Sequence, residues 1–161
     1  SLLASIMPIF KPDEFLLNIL PKKRVLGIDP GTKTLGIAVS NSDLTVASPI
    51  FTIQRKKLKS DLNQLLEVLK KYDITGIIIG WPLNMDGSIG PRCDSVRDFV
   101  KSLLEVIDIP ILLQDERMST MAIEKPMIKA DLTRKKRNSR TDQLAACWIL
   151  QTALDGLPKR M

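Results

Sequence analysis

The side chains best suited to chemistry in this sequence are carboxylates at the ends of predicted elements. Asp29 ends a buried strand directly before a Pro-Gly turn, and Asp115 and Glu116 end the last buried strand. Asp142 lies near the start of the last helix. Taken singly, these acids have structural explanations as a turn former, a solvated pair and a helix cap. Taken together they can converge, because strand ends and the start of a packed helix can meet at one edge of a sheet.

Converging carboxylates repel one another and raise one another's pKa unless a cation neutralises them. Their hard oxygen atoms suit Mg²⁺ or Mn²⁺, and a pair of such ions can activate water and stabilise both reacting oxygens of a phosphodiester. The sequence contains no histidine, which excludes a Ser-His-Asp triad, a Cys-His nucleophile, an HExxH zinc site and a Cys₂His₂ finger. Acid, base and metal-binding roles therefore fall to Asp, Glu, Lys, Tyr or Cys.

Basic residues follow these acids along the chain, and the formal net charge is +6. Lys33 follows the turn after Asp29 and Arg117 follows Glu116, so both are expected to reach a phosphate near the acids. A run of five further positive charges leads into the helix of Asp142: Arg134, Lys135, Lys136, Arg137 and Arg140. Such a run is usually a solvated face, but here it is placed to bind a nucleic-acid backbone without reading its sequence. A second basic cluster is interpreted as solvated surface: Arg55, Lys56, Lys57 and Lys59.

The apolar pattern predicts an α/β fold built on a mixed five-stranded sheet. Strands are predicted at 24–29, 35–40, 45–53, 75–80 and 109–114. The first three form an antiparallel meander, and the helix-strand alternation that follows predicts parallel strands with helices on both faces. Helices are predicted at 57–71, from Pro91 to Ile107, loosely at 118–130 with a break at Pro126, and at 140–155. The last helix is expected to place Leu144, Trp148, Gln151 and Leu154 on one face.

The length of 161 residues predicts one domain, with a core at 22–156. Residues 1–21 are interpreted as an N-terminal extension that carries a short helix beginning at Pro12. Cys93 and Cys147 are interpreted as unpaired buried thiols. The sequence has no apolar run of about 20 residues that would cross a bilayer, so a cytoplasmic location is expected.

The loop GWPLNMDG leaves two roles open. Trp81 can stack on a base or anchor the loop, and the low aromatic content of 4% does not support an extended stacking platform. Asn84 and Asp86 are expected to shape the turn before Gly87, although either can also face the site.

Four segments resemble the signature blocks of one known family. They occur in order over roughly residues 24–155 and read VLGIDPGTKTLGIAVS, GWPLNMDGS, DERMST and TDQLAACWILQ. They resemble the YqgF family, also called RuvX or the pre-16S rRNA nuclease family, of the RNase H-like superfamily. GWPLNMDGS and DERMST are specific to it, whereas GIDPGT alone is a weak signal. Two features depart from the family pattern, namely Pro126 and the N-terminal extension.

The resemblance implies an RNase H-like fold in which Asp29, Glu116 and Asp142 form a catalytic triad that binds Mg²⁺ or Mn²⁺. It implies a nuclease that matures the 5′ end of pre-16S rRNA, with resolution of Holliday junctions in branched DNA as the alternative. The oligomeric state stays open between monomer and homodimer.

Two other classes of protein fit parts of the sequence. A P-loop beginning at Gly27 needs glycine where Thr32 stands, and Asp29 would repel a bound phosphate. The same stretch resembles the first phosphate loop of actin-like and Hsp70-like ATPases, but those need two related domains. A non-catalytic rRNA- or protein-binding module stays the alternative, because RNase H-like folds can persist without chemistry.

Overall fold

A computed structural model of the chain describes residues 9–117 and 134–158. Within these ranges, six strands alternate with four helices. The strands are β1 (Ile9–Phe10), β2 (Arg24–Pro30), β3 (Thr34–Ser40), β4 (Ala47–Gln54), β5 (Ile74–Trp81) and β6 (Ile111–Asp115). The helices are α1 (Pro12–Asn18), α2 (Leu58–Lys71), α3 (Pro91–Leu104) and α4 (Arg134–Gly156).

The strands form one mixed sheet in the order β1-β6-β5-β2-β3-β4. β2, β3 and β4 pair as an antiparallel meander, while β5 joins β2 in parallel and β6 joins β5 in parallel. This arrangement confirms the predicted fold class and all five predicted strands. The additional strand β1 pairs with the edge strand β6 over two residues and was not predicted.

Separate apolar layers cover the two faces of the sheet, because successive strand side chains point to opposite faces. α2 and α3 cover the face that presents Ile77 and Ile79 of β5. α1 and α4 cover the other face, where Ile78 packs in one layer with Ile149 and Leu150 of α4. The wholly apolar sequence of β5 thus follows from burial on both sides.

Glycines on β2 and β3 let α4 approach the sheet backbone. A Cβ atom at Gly27 would lie 2.7 Å from the Cβ of Leu150, and one at Gly36 would overlap the backbone carbonyl of Asp142. α4 therefore rests on bare strand backbone, which fixes the height of Asp142 above β3.

The described part of the N-terminal segment, residues 9–20, contributes to the core. The predicted short helix is confirmed as α1, and its Phe15 is completely buried. Phe15 packs over Gly76, where a Cβ atom would lie 2.6 Å from its ring. The amide of Leu20 donates a hydrogen bond of 2.8 Å to the Thr75 hydroxyl. Removal of this segment would therefore expose apolar surface of the sheet.

The residues expected on one face of the last helix differ in burial, since Leu154 is buried and Trp148 is not. Trp148 is 42% exposed, whereas Ala146, Ile149 and Leu150 are buried. Ala146, Ile149 and Leu150 belong to the apolar layer against the sheet, and Trp148 lies outside that layer. The predicted helix at 118–130, with Pro126, lies outside the described residues.

Two further expectations concern the cysteines and the membrane. Cys93 is a buried free thiol and Cys147 is a half-buried one. Within the described part of the chain, every helix is too short or too polar to span a membrane.

Candidate active site

Asp29 lies between two glycines on the neighbouring strands. On β3 it pairs with Gly36. On β5 the last pair is Ile28 with Ile79, and because the two strands are parallel the next residues, Asp29 and Gly80, are neighbours. Residues paired across strands direct their side chains to the same face. The space that a side chain at Gly80 would fill is taken by the Glu116 carboxyl group. Asp142 lies directly over Gly36, so the two glycines place the other two acids on either side of Asp29.

Glu116 contacts Asp29 directly. Its backbone N–H donates to the Trp81 carbonyl at 3.1 Å, directly after the last residue pair of β5 and β6. The two carboxyl groups share a hydrogen bond. Burial, this hydrogen bond and the charge of Asp29 together raise the pKa of Glu116 to about 9, and Arg92 opposes the rise. The pair therefore retains a proton at neutral pH when no cation neutralises it.

Asp142 is half-buried on α4, and its carboxylate accepts a hydrogen bond of 2.7 Å from the Thr34 hydroxyl. Burial raises the pKa of Asp142, the bond from Thr34 opposes the rise, and the charge of Asp29 adds to it. Among the described residues, no three acidic or cysteine side chains stand close enough together to hold a metal ion. The structure thus joins Asp29 to Glu116 and holds Asp142 on the same face, without an assembled three-ligand centre.

The chemistry of these donors fits a divalent cation. Two carboxyl groups that retain a proton between them form a site where a cation can take the place of that proton. Carboxylate oxygens are hard ligands that suit Mg²⁺ and Mn²⁺. Asp29, Glu116 and Asp142 are the residues that would bind such an ion, and this role stays a prediction.

Two arginines hold the turn that follows Asp29, and sequence reasoning missed both. Arg55 donates from Nη1 to the Gly31 carbonyl at 2.8 Å, and Arg92 donates from Nη2 to the Pro30 carbonyl at 3.0 Å. The interpretation of Arg55 as solvated surface was wrong, because its Nε lies 3.8 Å from the buried Asp61 carboxylate. The other members of that cluster, Lys56, Lys57 and Lys59, are exposed as predicted. The unbroken run of basic residues gave no signal that separates Arg55 from them.

Arg117 has a different contact from the one predicted. Its guanidinium makes three hydrogen bonds to the Asp115 carboxylate: Nε lies 3.1 Å from Oδ1 and 2.9 Å from Oδ2, and Nη2 lies 2.6 Å from Oδ2. The hydrogen bond from Arg117 lowers the pKa of Asp115. Nη1 of Arg117 also lies close to Gly87. Arg117 therefore links the end of β6 to the loop after β5, and its expected contact with phosphate would require this ion pair to open.

The remaining predicted basic residues lie between β2 and β3 or at the start of α4. Lys33 is exposed on the bend between β2 and β3, the bend that follows Asp29. The backbone of the basic run forms the first turns of α4, which lead directly to Asp142. The run's side chains lie outside the described residues: Arg134, Lys135, Lys136, Arg137 and Arg140. Their contact with nucleic acid stays a prediction.

The loop after β5 is shaped by its own polar groups. The Gly87 amide donates to the Asn84 carbonyl at 2.8 Å, and Oδ1 of Asp86 accepts bonds of 2.9 Å and 2.6 Å from the amide and hydroxyl of Ser88. Gly87 has a φ of 88°, which favours glycine. Trp81 packs against the core. The turn-forming role of Asn84 and Asp86 is confirmed, and of the two roles open for Trp81 the packing supports the loop anchor.

The sheet order and the helix that lies across it define an RNase H-like fold. The structure described as "T. thermophilus RuvC in complex with Holliday junction substrate" is similar in fold, with a TM-score of 0.53 and 16% sequence identity. The match covers 84% of this chain and 98% of that one. At this identity the likeness concerns the fold alone.

The sequence model of the RuvX family, described as "Holliday junction resolvase", matches residues 23–156, and the chain belongs to this family. A relative from Paramagnetospirillum magneticum, named "Putative pre-16S rRNA nuclease", is 44% identical over 149 residues, which are 92% of this chain and 96% of the relative. A relative of the same name from Ruegeria sp. (strain TM1040) is 47% identical over 143 residues, 89% of this chain and 91% of the relative.

Proposed function

We propose that this protein is a divalent-metal-dependent nuclease that hydrolyses phosphodiester bonds at the 5′ end of pre-16S rRNA in the cytoplasm. The observation that carries the proposal is the contact between the Asp29 and Glu116 carboxyl groups, with Asp142 on the same face. A half-buried pair of carboxyl groups in contact is unfavourable without a cation and is therefore better explained by metal binding than by stability. The names of the relatives support the class of reaction and the substrate.

In this mechanism Asp29, Glu116 and Asp142 would hold Mg²⁺ or Mn²⁺, which would supply activation of water and neutralisation of charge on the phosphate. The two arginines that hold the turn after Asp29 keep its carboxylate at the strand end. Glu116 holds the proton of the pair without a cation, and it would have to release that proton to serve as a ligand. Thr34 orients Asp142 through its hydroxyl. The basic first turns of α4 attract the phosphate backbone next to these acids.

The alternative substrate is a four-way DNA junction, which the description of the family model favours. Symmetric cleavage of a junction requires two active sites and would favour a homodimer. Maturation of one RNA end requires one active site and is compatible with a monomer.

The experiment is cleavage of labelled pre-16S 5′ ends and of labelled four-way junctions by purified protein with Mg²⁺ or Mn²⁺. Asp29→Asn tests the site, and Asp98→Asn, at an exposed position on α3, is the matched control. We expect metal-dependent cleavage of the RNA that Asp29→Asn abolishes and Asp98→Asn retains. Cleavage of junctions alone would favour the alternative. Binding of RNA without any cleavage would favour a non-catalytic module.

A further inference from the structure

Arg92 differs from the other arginines near the acids in what it contacts. Arg117 is paired with Asp115, and Arg55 lies beside the buried Asp61. Arg92 is exposed, and the ion pairs found among the described residues do not include it. Its guanidinium donates one hydrogen bond to the Pro30 carbonyl. The charge of Arg92 is thus uncompensated by an ion pair with the described residues.

Arg92 also lies at the same end of the sheet as Asp29. It belongs to the first turn of α3, where Pro91 is at an N-terminal position of the helix. The bond to Pro30 places its guanidinium against the residue directly after Asp29. The guanidinium therefore lies at the turn that follows Asp29, at the end of the sheet where Asp29 and Glu116 meet.

A site rich in carboxylates repels a phosphate unless cations oppose that charge. A guanidinium has five N–H donors in a planar fork, and it binds phosphate oxygens through two parallel hydrogen bonds. One N–H group bonded to a backbone carbonyl fixes the fork and leaves other N–H groups for a ligand. A fixed donor beside the reacting group costs little reorganisation when the substrate binds.

We propose that Arg92 binds the phosphate of the strand to be cleaved, held in place by the Pro30 carbonyl beside Asp29 and Glu116. This inference rests on the proposed nuclease function and adds a substrate-binding residue from outside the three acids and the basic run. The ligand is a phosphodiester of a nucleic-acid strand, bound through its oxygens and without selection of base.

The test compares Arg92→Gln and Arg92→Ala with Lys101→Gln, a matched loss of one positive charge at an exposed position near the end of α3. Glutamine has no charge and keeps an N–H donor on a shorter side chain, so its comparison with alanine separates loss of the charge from loss of the donor. Binding of the labelled pre-16S 5′ end is measured over a range of salt in an Asp142→Asn background with Mg²⁺, so that the RNA stays intact.

We expect both Arg92 variants to bind the RNA about tenfold more weakly, and the slope of log affinity against log salt to fall by about 0.7. With Asp142 restored, kcat/KM should fall by about 100-fold in both variants. Lys101→Gln should match the parent protein in all three quantities. Circular dichroism should show that each variant is folded.

Two results would overturn the inference. If both Arg92 variants bind the RNA with the affinity and salt slope of the parent protein, Arg92 does not contact the phosphate. If Arg92→Ala binds more weakly and Arg92→Gln binds like the parent protein, Arg92 supports the turn instead. If the parent protein binds RNA but cleaves no substrate, the nuclease proposal fails, while weaker binding by both variants still supports Arg92. If the parent protein binds no nucleic acid, both proposals fail.

Discussion

Glu116 occupies the space that a side chain at Gly80 would fill. This relationship explains how the acid at the end of β6 comes to lie against Asp29, which is next to Gly80 across the β2–β5 pair. The absence of a side chain at Gly80 thus leaves the space in which Glu116 lies against Asp29.

The first prediction concerns the space at Gly80. Gly80→Ala places a Cβ atom on the carboxyl group of Glu116, so the Glu116 side chain must move from its position beside Asp29. We expect cleavage to fall by at least tenfold and stability to fall by about 1–3 kcal/mol through overpacking. Gly156→Ala is the control, because a Cβ atom there has no neighbour within 4 Å. Equal cleavage by Gly80→Ala and the parent protein would show that the Glu116 position is unimportant.

The second prediction concerns pH in the absence of metal. The pKa of Glu116 is raised, so its contribution to stability is complete below about pH 4.5 and is lost as pH rises toward about 9. Glu116→Gln cannot ionise and avoids this loss. We expect its melting temperature in EDTA to exceed that of the parent protein by a margin that grows from about pH 5 to about pH 9. Parallel melting profiles would contradict the raised pKa.

The same pair of proteins tests the metal. Saturating Mg²⁺ stabilises a folded protein that binds it, and it should stabilise the parent protein more than Glu116→Gln, which lacks one anionic ligand. Thermal unfolding at about pH 7.5 with and without Mg²⁺ measures this difference. An equal shift in both proteins would remove Glu116 from the proposed ligands.

The sequence allowed the acids to be located because strand ends and helix starts are visible in its pattern. Asp29 and Glu116 follow apolar runs, and those runs are the neighbouring strands β2 and β6 on either side of β5. Their contact was not predictable in detail, since it depends on the absence of a side chain at Gly80 and on the register of β5.

Other features depend on tertiary contacts that leave no local pattern. Phe15 fills space over Gly76, and this contact joins residues that are far apart along the chain. Trp148 has an apolar side chain at a helical position and is nevertheless exposed, whereas the adjacent Ile149 and Leu150 are buried. Arg55 differs from its exposed lysine neighbours because it lies beside a buried carboxylate of the next helix.

The third prediction concerns that buried carboxylate. Asp61 is 1% exposed and accepts a hydrogen bond of 3.1 Å from the Lys56 amide as well as facing Arg55. Asp61→Ala leaves Arg55 without its counter-charge. We expect the free energy of unfolding, measured by chemical denaturation, to fall by about 2–3 kcal/mol. Asp98→Ala, at an exposed position, should change stability by less than about 0.5 kcal/mol. Similar small changes in both variants would show that the pair does not support the turn.

The fourth prediction concerns the basic run at the start of α4. Replacement of Arg134, Lys135, Lys136 and Arg137 by alanine should weaken binding to every nucleic acid to a similar degree. Each lost phosphate contact should reduce the salt slope by about 0.7 for single strands and about 0.9 for duplexes. Gel-shift titrations at several salt concentrations measure both. Unchanged affinity and slope would return this run to a solvated surface, without affecting the role of the acids.

The central claim is tested most directly by single-turnover cleavage of pre-16S 5′ ends by Asp29→Asn with Mg²⁺. The substitution keeps the size of the side chain and removes one negative ligand beside Glu116. We predict a loss of activity of at least about 100-fold, with the fold intact and Asp98→Asn fully active. Cleavage by Asp29→Asn at the rate of the parent protein would contradict the account.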